Sequence, residues 1–531
     1  MRVQGLQSLR YPHGKATPVN ERAIKDASHG KEVIRMTDRV CRRKFCSGFA
    51  CATLSTFLHA GNSDTNTVTT GSVTNMNKSI IGNFRFIDLF CGIGGFHQAM
   101  GELGGKCVFA CDIDADCRKT YQRNYGIEPV GDITKVEARE IPSHDVLCAG
   151  FPCQAFSKAG NRLGFADKTK GTLFFDVVRI LKHHQPPYAL LENVRNLASH
   201  DGGNTWRVIY ESLNDVGYNV IPEPIIFSPH YVGIPQHRER VFIMCVRKDV
   251  GEIPPFYVDE ENIPKCTIDS ILLDDKDIPN LSDYQLSQDQ VDLINIWNEF
   301  IQNIKCKRLP GFPVWADCLK SIEDLEVQWG GIDKLPAWEQ SHIRKNSALW
   351  EQNKEFIAEW LPRAQKCKLF FGAKAKLEWQ AGQYEHPNMW DHIMQIRPSG
   401  IRVKVGTYYP ALVAITQTSI VGKRKRFLTP RECARLQNFP DSFLCDENER
   451  QAYKQFGNSV NVAVVRLFGQ YLLGDQKIRE QYGLKNKPLK MPKNMKAKSV
   501  ESNDLTMSDA VRKRRGRPRK GVDDGRQMRF F

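Results

Sequence analysis

The chain has 531 residues, of which 41% are hydrophobic and 25% are charged, as in ordinary globular proteins. No apolar run approaches the roughly 18 residues of a membrane span, and the basic N-terminus lacks the apolar segment of a secretory signal. We therefore expect no membrane partner, and the 16 scattered cysteines indicate reduced thiols in a cytoplasmic protein.

The net charge of +15 comes from the two ends of the chain. Residues 477–531 contain 17 basic and 6 acidic side chains, and residues 1–75 contain 11 and 5, which leaves −2 for residues 76–476. Both ends lack sustained periodicity, so we expect disordered basic tails. Residues 1–80 are interpreted as an N-terminal extension that is either disordered or the product of a misassigned start. The basic ends favour a polyanionic partner, whereas the charge of the centre does not.

The first predicted strand, 84–90, runs into a glycine-rich turn over 91–95 and then into a helix at 96–103. Glycine lets a backbone approach a ligand closely, and a helix N-terminus favours negative charge. Many turns contain such glycines, but the position of this one between a strand and a helix favours a cofactor site.

Acidic residues follow the second predicted strand, 106–111. Asp112 and Asp114 precede a helix that begins near Ala115. One carboxylate is placed to accept hydrogen bonds from ribose hydroxyls, and the other to cap the helix. Asp132, in the turn 131–134, either meets an adenine amino group or forms an Asx-turn.

A short predicted strand, 145–148, ends in Gly150-Phe151-Pro152-Cys153. This sequence stops the strand and places a cysteine where α/β enzymes present reactive groups. Cys153 is therefore either a nucleophile or one more buried thiol. The next loop, 155–170, is rich in Gly, Ser and Lys and is suited to closing over a substrate.

Further candidate residues follow the predicted helix 172–184. Glu192 comes after the strand 188–191, on the same rim as Cys153, where it is either a general acid or a salt-bridged loop residue. After a helix at 203–216, Arg238 and Arg240 precede the strand 241–246. Two arginines at i and i+2 share one face, where they either clamp a phosphate or base edge or form surface ion pairs.

Together these segments resemble the C5-cytosine-specific DNA methyltransferases of the bacterial restriction–modification type. The resemblance covers about 84–248 and 424–474, and its order and spacing make a chance match implausible. The motifs are FIDLFCGIGGF (86–96), GDIT (131–134), AGFPCQAFS (149–157), GTLFFDVVRIL (171–181), LLENV (190–194), GIPQHRERVF (233–242), RFLTPRECARLQNFPDSF (426–443) and YKQFGNSV (453–460). The resemblance implies an α/β fold of the AdoMet-dependent methyltransferase (Rossmann-like) class. It also implies a doubly wound, mostly parallel sheet and a smaller target-recognition domain.

The chemistry implied by the resemblance is methyl transfer from S-adenosyl-L-methionine (AdoMet) to C5 of a cytosine that is flipped out of double-stranded DNA. Cys153 is expected to attack C6 as a thiolate, and Glu192 to hold the proton at N3. The pattern assigns stabilisation of the flipped base to Arg240, with Arg238 at the same pocket, and places Gln236 on the DNA side. No metal is implied.

The same resemblance assigns ten residues to the cofactor. They are Phe90, Gly92, Gly94, Gly95, Asp112, Asp132, Ile133, Pro152, Asn458 and Val460. The ribose carboxylate is usually Glu in this family and is Asp112 here, so we expect cofactor binding to survive with some loss of reach.

The predicted domains are a catalytic domain at 84–248, a target-recognition domain at 249–425, and a return segment at 426–474 that completes the catalytic domain. Most of the eight tryptophans in 249–425 are expected in the core of that domain. Thr429 is expected to cap a helix with Pro430 in its first turn, and residues 457–459 to begin the last core helix. Candidate base-reading residues are Lys374, Lys376, Gln383, Arg397, Arg402 and Lys404.

The basic tail, 475–531, contains a segment that resembles an AT-hook. In such a segment Arg515 and Arg517 lie in a narrow A·T minor groove. The alternative is a nonspecific basic tail, and either adds salt-dependent affinity for DNA.

The implied partners are double-stranded DNA and a cognate restriction endonuclease that acts on the same site without a stable complex. We expect a monomer on DNA, in the bacterial cytoplasm and associated with the nucleoid. An RNA methyltransferase of the same fold is disfavoured by the long region 249–425 and by the tail. A noncatalytic DNA-binding regulator is disfavoured by the intact Cys153, Glu192 and Arg240.

Overall fold

The computed structural model describes residues 79–152, 173–397, 399–414 and 418–483. Several predictions fall outside the described residues: the N-terminal extension up to 78, Cys153, the loop 155–170, the basic tail after 483, Arg515 and Arg517. The start of the tail differs from the predicted disorder, because Gln476–Gly483 forms a helix whose Tyr482 packs on Phe256. Within the described ranges, no helix combines the length and the apolar character that crossing a bilayer requires.

The described residues between 84 and 247 form eight strands and four α-helices. The strands are β1 (Phe84–Leu89), β2 (Gly105–Cys111), β3 (Val146–Gly150), β4 (Tyr188–Val194), β5 (Tyr218–Val220), β6 (Ile225–Phe227), β7 (Gln236–His237) and β8 (Arg240–Arg247). The helices are α1 (Gly95–Glu102), α2 (Ala115–Tyr125), α3 (Leu173–His184) and α4 (Asn204–Asp215). The predicted alternation of strands and helices is confirmed over this range.

Seven of these strands form the first sheet, in the order β2-β1-β3-β4-β8-β5, with β6 also paired to β8. Strands β1 to β4 pair in parallel, whereas β8 is antiparallel to β4, β5 and β6. Six of the seven strands therefore run in one direction. The chain passes from β1 to β2 on one side and returns to β3 on the other, a change of direction at which α/β sheets bind ligands. The predicted doubly wound, mostly parallel sheet is confirmed.

Residues 288–483 supply the remaining strands and helices. The strands are β9 (Val314–Trp315), β10 (Lys376–Gln380), β11 (Ile393–Arg397), β12 (Gly400–Lys404), β13 (Tyr409–Pro410), β14 (Ile420–Val421) and β15 (Arg426–Phe427). The helices are α5 (Gln288–Asn303), α6 (Ile322–Trp329), α7 (Ala337–Glu351), α8 (Lys354–Lys366), α9 (Pro430–Leu436), α10 (Glu449–Asn458), α11 (Val462–Leu473) and α12 (Gln476–Gly483).

The second sheet has the order β15-β14-β11-β12-β10-β9 and its own hydrophobic core. Trp297, Trp360 and Trp379 are buried in that core, and four other tryptophans of the region are half-buried against it or against a small neighbouring cluster. Trp338 is the exception, with 59% of its surface exposed. The structural role predicted for most of these tryptophans is confirmed, and the domain boundaries stay a prediction.

The first sheet is buried on both faces because its residues alternate between two clusters. Phe86 belongs to the cluster that also contains residues of α1 and α11, whereas Ile87 belongs to the cluster with α3 and α4. Helix α11 thus returns late in the sequence to pack on the first strand–helix unit, and Ile80 N donates to the Leu473 carbonyl. Both ends of the described chain complete one core.

One helix start differs from the prediction. Residues Gly457 and Asn458 end α10, and α11 begins at Val462 rather than at 457–459. The break arises because Asn461 has extended backbone angles and its side chain accepts a hydrogen bond from Val464 N, as an N-cap does. At the other predicted start, Thr429 and Glu432 form the expected capping box.

Candidate active site

The glycine-rich turn after β1 has left-handed backbone angles at Phe90, Gly92 and Gly94 (φ 56°, 52° and 88°). A Cβ at Gly92 would meet no described atom within 4 Å, so the turn is open on that side. A Cβ at Gly94 would lie 2.2 Å from Cε2 of Tyr125, whose hydroxyl donates to the Gly94 carbonyl at 3.0 Å. The turn is thus braced by α2 at Gly94 and leaves room for a ligand at Gly92.

The two candidate aspartates have separate tasks. Asp114 caps α2 by accepting from Asp116 N and Cys117 N, and Lys454 of α10 donates to it at 2.9 Å. Asp112 accepts from Gly92 N and from Asp114 N, both at 2.8 Å. Burial raises the pKa of Asp112. Asp112 therefore faces the open turn, as a ribose-binding carboxylate requires.

The turn containing Asp132 lies beside Asp112, because Asp112 N donates to the carbonyl of Val130. Asp132 accepts from the backbone N and the hydroxyl of Thr134, and these bonds lower its pKa. The Asx-turn, one of the two interpretations of Asp132, is thus present. The side chain of the next residue, Ile133, is buried in the core.

An apolar residue beside this site was missed in the sequence. Ile113 lies between the two aspartates and has 77% of its surface exposed. Small-molecule sites combine apolar surface with a few polar groups, so an exposed isoleucine next to a carboxylate is suited to packing against the flat face of a base. In the sequence, Ile113 could have been identified as an apolar residue at a position where a polar one is expected.

Glu192 lies inside β4 rather than after it, because antiparallel pairing with β8 extends that strand to Val194. Its carboxylate accepts from Arg240, with 3.1 Å between Nε and Oε1, and only 8% of the residue is exposed. Burial raises the pKa of Glu192, and the charges of Arg240 and Arg238 oppose that effect. The sequence left two interpretations of Glu192, a general acid and a salt-bridged loop residue. The ion pair of the second interpretation is present, but Glu192 is buried in a strand rather than placed in a loop.

The pairing of β3 with β4 places Gly150 opposite Glu192. The next turn is held by Asn193, whose side-chain amide donates to the Phe151 carbonyl at 2.8 Å. Pro152, which precedes Cys153, is exposed. The last described residues before Cys153 therefore lie beside the Glu192–Arg240 pair.

Arg238 has different hydrogen-bond partners from Arg240. It is 3% exposed and donates to the carbonyls of Leu412, Gly457 and Ser459. Burial and the nearby charge of Arg240 lower the pKa of Arg238 to about 9. Both arginines line one pocket with Glu192, together with Phe227, Pro229, Phe242, Asn461 and Val464.

The segment between α10 and α11 reaches the glycine-rich turn. A Cβ at Gly95 would lie 2.6 Å from Cγ2 of Val460, which is 8% exposed. Asn458 is exposed two residues earlier. The structure therefore brings Gly95, Val460 and Asn458 to the same side of the first sheet, although more than 350 residues separate them in sequence.

The position of Gln236 differs from its predicted place on a DNA surface. Gln236 is fully buried, and its side-chain amide has no hydrogen-bond partner among the described residues. Its strand, β7, pairs in parallel with β13. Direct contact with DNA would therefore require this side chain to move.

Within the ranges that the structure describes, no group of three or more His, Cys, Asp or Glu side chains is arranged to hold a metal ion. The candidate base-reading residues divide into two sets. Lys374 and Lys376 lie over the rings of Phe371 and Trp315, and Gln383 bonds the backbone of Leu309. Arg397 and Arg402 instead share one face of the second sheet with Lys404.

Comparison with known proteins identifies close relatives. The family model described as C-5 cytosine-specific DNA methylase matches residues 84–473. The Type II methyltransferase M.AluI of Cellulosimicrobium cellulans is 36% identical over 474 residues, covering 72% of this chain and 90% of that protein. M.HpaII of Haemophilus parainfluenzae is 35% identical over 401 residues (75% and 91%). M.HhaI of Haemophilus parahaemolyticus is 32% identical over 385 residues (72% and 92%).

Proposed function

The chain belongs to the C-5 cytosine-specific DNA methylase family, and from this membership we propose that it methylates C5 of cytosine in one short sequence of double-stranded DNA, with AdoMet as the methyl donor. The observation that carries the proposal is the position of the Glu192–Arg240 pair. It lies opposite Gly150, on the sheet whose first strand leads into the open glycine-rich turn. One side of a single sheet thereby offers both an open turn for a cofactor and an acid beside Gly150, which precedes Cys153 by three residues in sequence.

The residues at the turn fit an adenosyl ligand. The backbone at Gly92 is open, Asp112 offers a carboxylate for the ribose, and Ile113 offers an exposed apolar surface for the base. Val460 and Asn458 lie at the other side of the turn. When bound there, AdoMet supplies an electrophilic methyl group on its sulfonium.

The target cytosine must leave the duplex, because C5 and C6 are inaccessible within the base stack. In the proposed reaction the Cys153 thiolate forms a bond to C6, since sulfur is a strong nucleophile near neutral pH. The electron pair of the C5–C6 bond moves toward C5 as Glu192 delivers a proton to N3. C5 would then take the methyl group, with the methyl–sulfur bond broken and S-adenosylhomocysteine left. Loss of the C5 proton to a base would re-form the C5–C6 double bond as the C6–sulfur bond breaks, releasing Cys153 as a thiolate and returning the N3 proton to Glu192.

Glu192 suits the role of a general acid because its environment favours the neutral carboxyl group. Burial raises its pKa, so a larger fraction is protonated near neutral pH than for an exposed glutamate. Arg240 supplies a positive charge next to that carboxyl and a guanidinium for the oxygen of the flipped base.

The biological setting proposed for this activity is a restriction–modification system. Methylation of the recognition sequence would protect DNA from a cognate endonuclease that acts at the same site without a stable complex. We further propose that the enzyme acts as a monomer in the cytoplasm, on nucleoid DNA, with the region 249–425 reading the sequence.

Bisulfite sequencing tests the proposed activity. Plasmid DNA from cells that express the chain is compared with plasmid DNA from cells that express Cys153→Ala. We expect protected cytosines in one short recurring context, absent with the variant. Soluble, folded wild-type protein that protects no cytosine would contradict the proposal and would direct the next assay to RNA substrates. Protection by Cys153→Ala at the wild-type level would contradict the role of Cys153.

A further inference from the structure

Arg238 makes contacts unlike those of a base-binding arginine. One terminal nitrogen donates to the Leu412 carbonyl at 2.8 Å, and the other donates to the carbonyls of Gly457 and Ser459 at 3.1 and 2.9 Å. The guanidinium thus joins two chain segments, 409–414 and 457–460, that are separated by more than 40 residues. Three neutral acceptors bind three of its four terminal N–H donors, and the buried Nε has no hydrogen-bond partner among the described residues.

The first of these segments is 409–414. It begins with β13, which pairs with β7 just before Arg238, and its backbone then packs against the end of α10. A Cβ at Gly457 would lie 2.3 Å from the carbonyl oxygen of Val413. Only glycine permits the two backbones to approach this closely.

The second segment packs on the glycine-rich turn. A Cβ at Gly95 would lie 2.6 Å from Val460 and 3.0 Å from the hydroxyl oxygen of Ser459. The side-chain amide of Gln437 also donates to the Phe456 carbonyl and to Ser459 O. The position of residues 457–460 therefore sets one wall of the proposed cofactor site, and Arg238 is its charged anchor.

We propose that Arg238 is a positioning residue, which fixes the cofactor-side segment 457–460 against segment 409–414, and that it does not contact the flipped cytosine. This inference rests on the proposed function. It assigns the two arginines of one motif to different tasks, with Arg240 at the base and Arg238 at the cofactor wall.

The two roles predict different effects on cofactor binding in the absence of DNA. We would measure the dissociation constant of AdoMet by calorimetry for wild type, Arg238→Lys and Arg240→Lys, with no DNA present. A lysine ammonium keeps the charge but loses the forked geometry that reaches both segments. Because loss of a hydrogen bond to a charged group costs about tenfold in an equilibrium, we expect Arg238→Lys to weaken AdoMet binding by about tenfold or more. Arg240→Lys should bind AdoMet as wild type does and lose methyl transfer.

A second variant tests the same contact from the other side. Gly457→Ala introduces a methyl group against the Val413 backbone and keeps Arg238 intact. We expect it to weaken AdoMet binding without DNA as well, and it decides the matter if Arg238→Lys fails to fold. If folded Arg238→Lys bound AdoMet with wild-type affinity but had lost activity, the proposal would be wrong. Arg238 would then be assigned to contact with the flipped cytosine. Failure of the wild type itself to bind AdoMet would contradict the proposed function instead.

Discussion

Glu192 and Arg240 form their ion pair diagonally across two antiparallel strands, two residues apart in register, on the face that packs against α11. Glu192 is paired in the sheet with Phe242, and Arg240 is paired with Val194. A diagonal pair on one face is close enough for long side chains to meet. Because both residues are fixed by a sheet rather than by a loop, their mutual geometry is set before a substrate binds.

Glu192→Gln should remove a pH dependence as well as activity. In the wild type the protonated fraction of Glu192 falls as the pH rises through its raised pKa, so kcat/KM should fall on the alkaline side. Glutamine has no proton to transfer, and we expect kcat to drop by about 10²- to 10⁴-fold. The remaining activity should lack that alkaline limb. A pH–rate profile of both proteins checks this, and an unchanged alkaline limb in the variant would assign the titration to another group.

The same substitution should change how stability depends on pH. Burial raises the pKa of Glu192 in the folded state above its unfolded value, so the folded chain binds the proton more tightly. The contribution of Glu192 to stability is therefore present at low pH and is lost as the pH rises through the folded pKa. Urea unfolding at about pH 5 and about pH 8 should show the variant gaining stability relative to wild type at the higher pH. An equal difference in stability between variant and wild type at the two pH values would contradict the raised pKa of Glu192.

The first sheet was predictable because its signals are local. Strand β1, the glycine-rich turn and α1 follow each other without a gap, and their periodicity and glycines identify them. The choice between Asp112 and Asp114 was not predictable, since each occupies a plausible capping position. The structure assigns the cap to Asp114, whereas Asp112 accepts from Gly92 N across 20 residues, and the ribose role of Asp112 stays a prediction.

Long-range contacts explain the remaining differences. The extension of β4 through Glu192 depends on β8, and the burial of Arg238 depends on carbonyls more than 170 residues away. No local pattern near Arg238 distinguishes it from Arg240. The predicted start of α11 was wrong for a different reason. Asn461 and Asn458 are both acceptable caps by sequence, and the helix begins at Val462 after Asn461.

Tyr125→Phe should weaken cofactor binding with little effect on the chemical step. The hydroxyl of Tyr125 holds the Gly94 carbonyl, and its ring stacks on His97 at 4.0 Å. Loss of one hydrogen bond costs roughly 1 kcal/mol. If the whole cost falls on holding the turn in position, it corresponds to about a fivefold loss of AdoMet affinity. We therefore expect KM for AdoMet to rise about fivefold at nearly constant kcat.

Tyr218→Phe is the matched control for this variant. Its hydroxyl donates to the Pro186 carbonyl at 2.8 Å, away from the turn. Its removal should reduce stability by a similar amount and leave KM for AdoMet unchanged. Equal KM values in the two variants would show that the Tyr125 hydroxyl has no part in holding the turn.

Glu432→Gln should strongly destabilise the fold. Glu432 is fully buried, bonds Arg426 with 2.8 Å between Oε1 and a terminal nitrogen, and completes the capping box of α9. Neutralising this carboxylate leaves Asp275 as the one anionic partner of the buried Arg426 among the described residues, and costs about 3–5 kcal/mol. Asp441→Asn breaks the more exposed pair with Arg435 and should cost about 1 kcal/mol or less. Urea unfolding of both variants measures the difference, and similar losses would contradict a special role for burial.

The second sheet presents a basic face that we expect to contact DNA in the proposed enzyme. Arg402 and Lys404 of β12 lie beside Arg397 of β11, and Glu378 of β10 accepts from Arg402 at 2.7 Å. The opposite face, with Trp379 and other apolar residues, packs in the core. Burial and the nearby arginines lower the pKa of Lys404, so the cations are held together against their repulsion. A phosphate backbone would offset that repulsion.

Charge changes on this face should therefore alter DNA binding in opposite directions. Arg402→Gln should weaken binding to a duplex with the recognition sequence and reduce the slope of log affinity against log salt by about 1. Glu378→Gln removes the carboxylate from the face and should strengthen binding at low salt. Lys366→Gln makes the same charge change as Arg402→Gln, but in α8, whose buried residues pack in the core behind the sheet. If Lys366→Gln reduced the slope as much as Arg402→Gln, the effect would reflect net charge alone, and the basic face would lose its assignment to DNA.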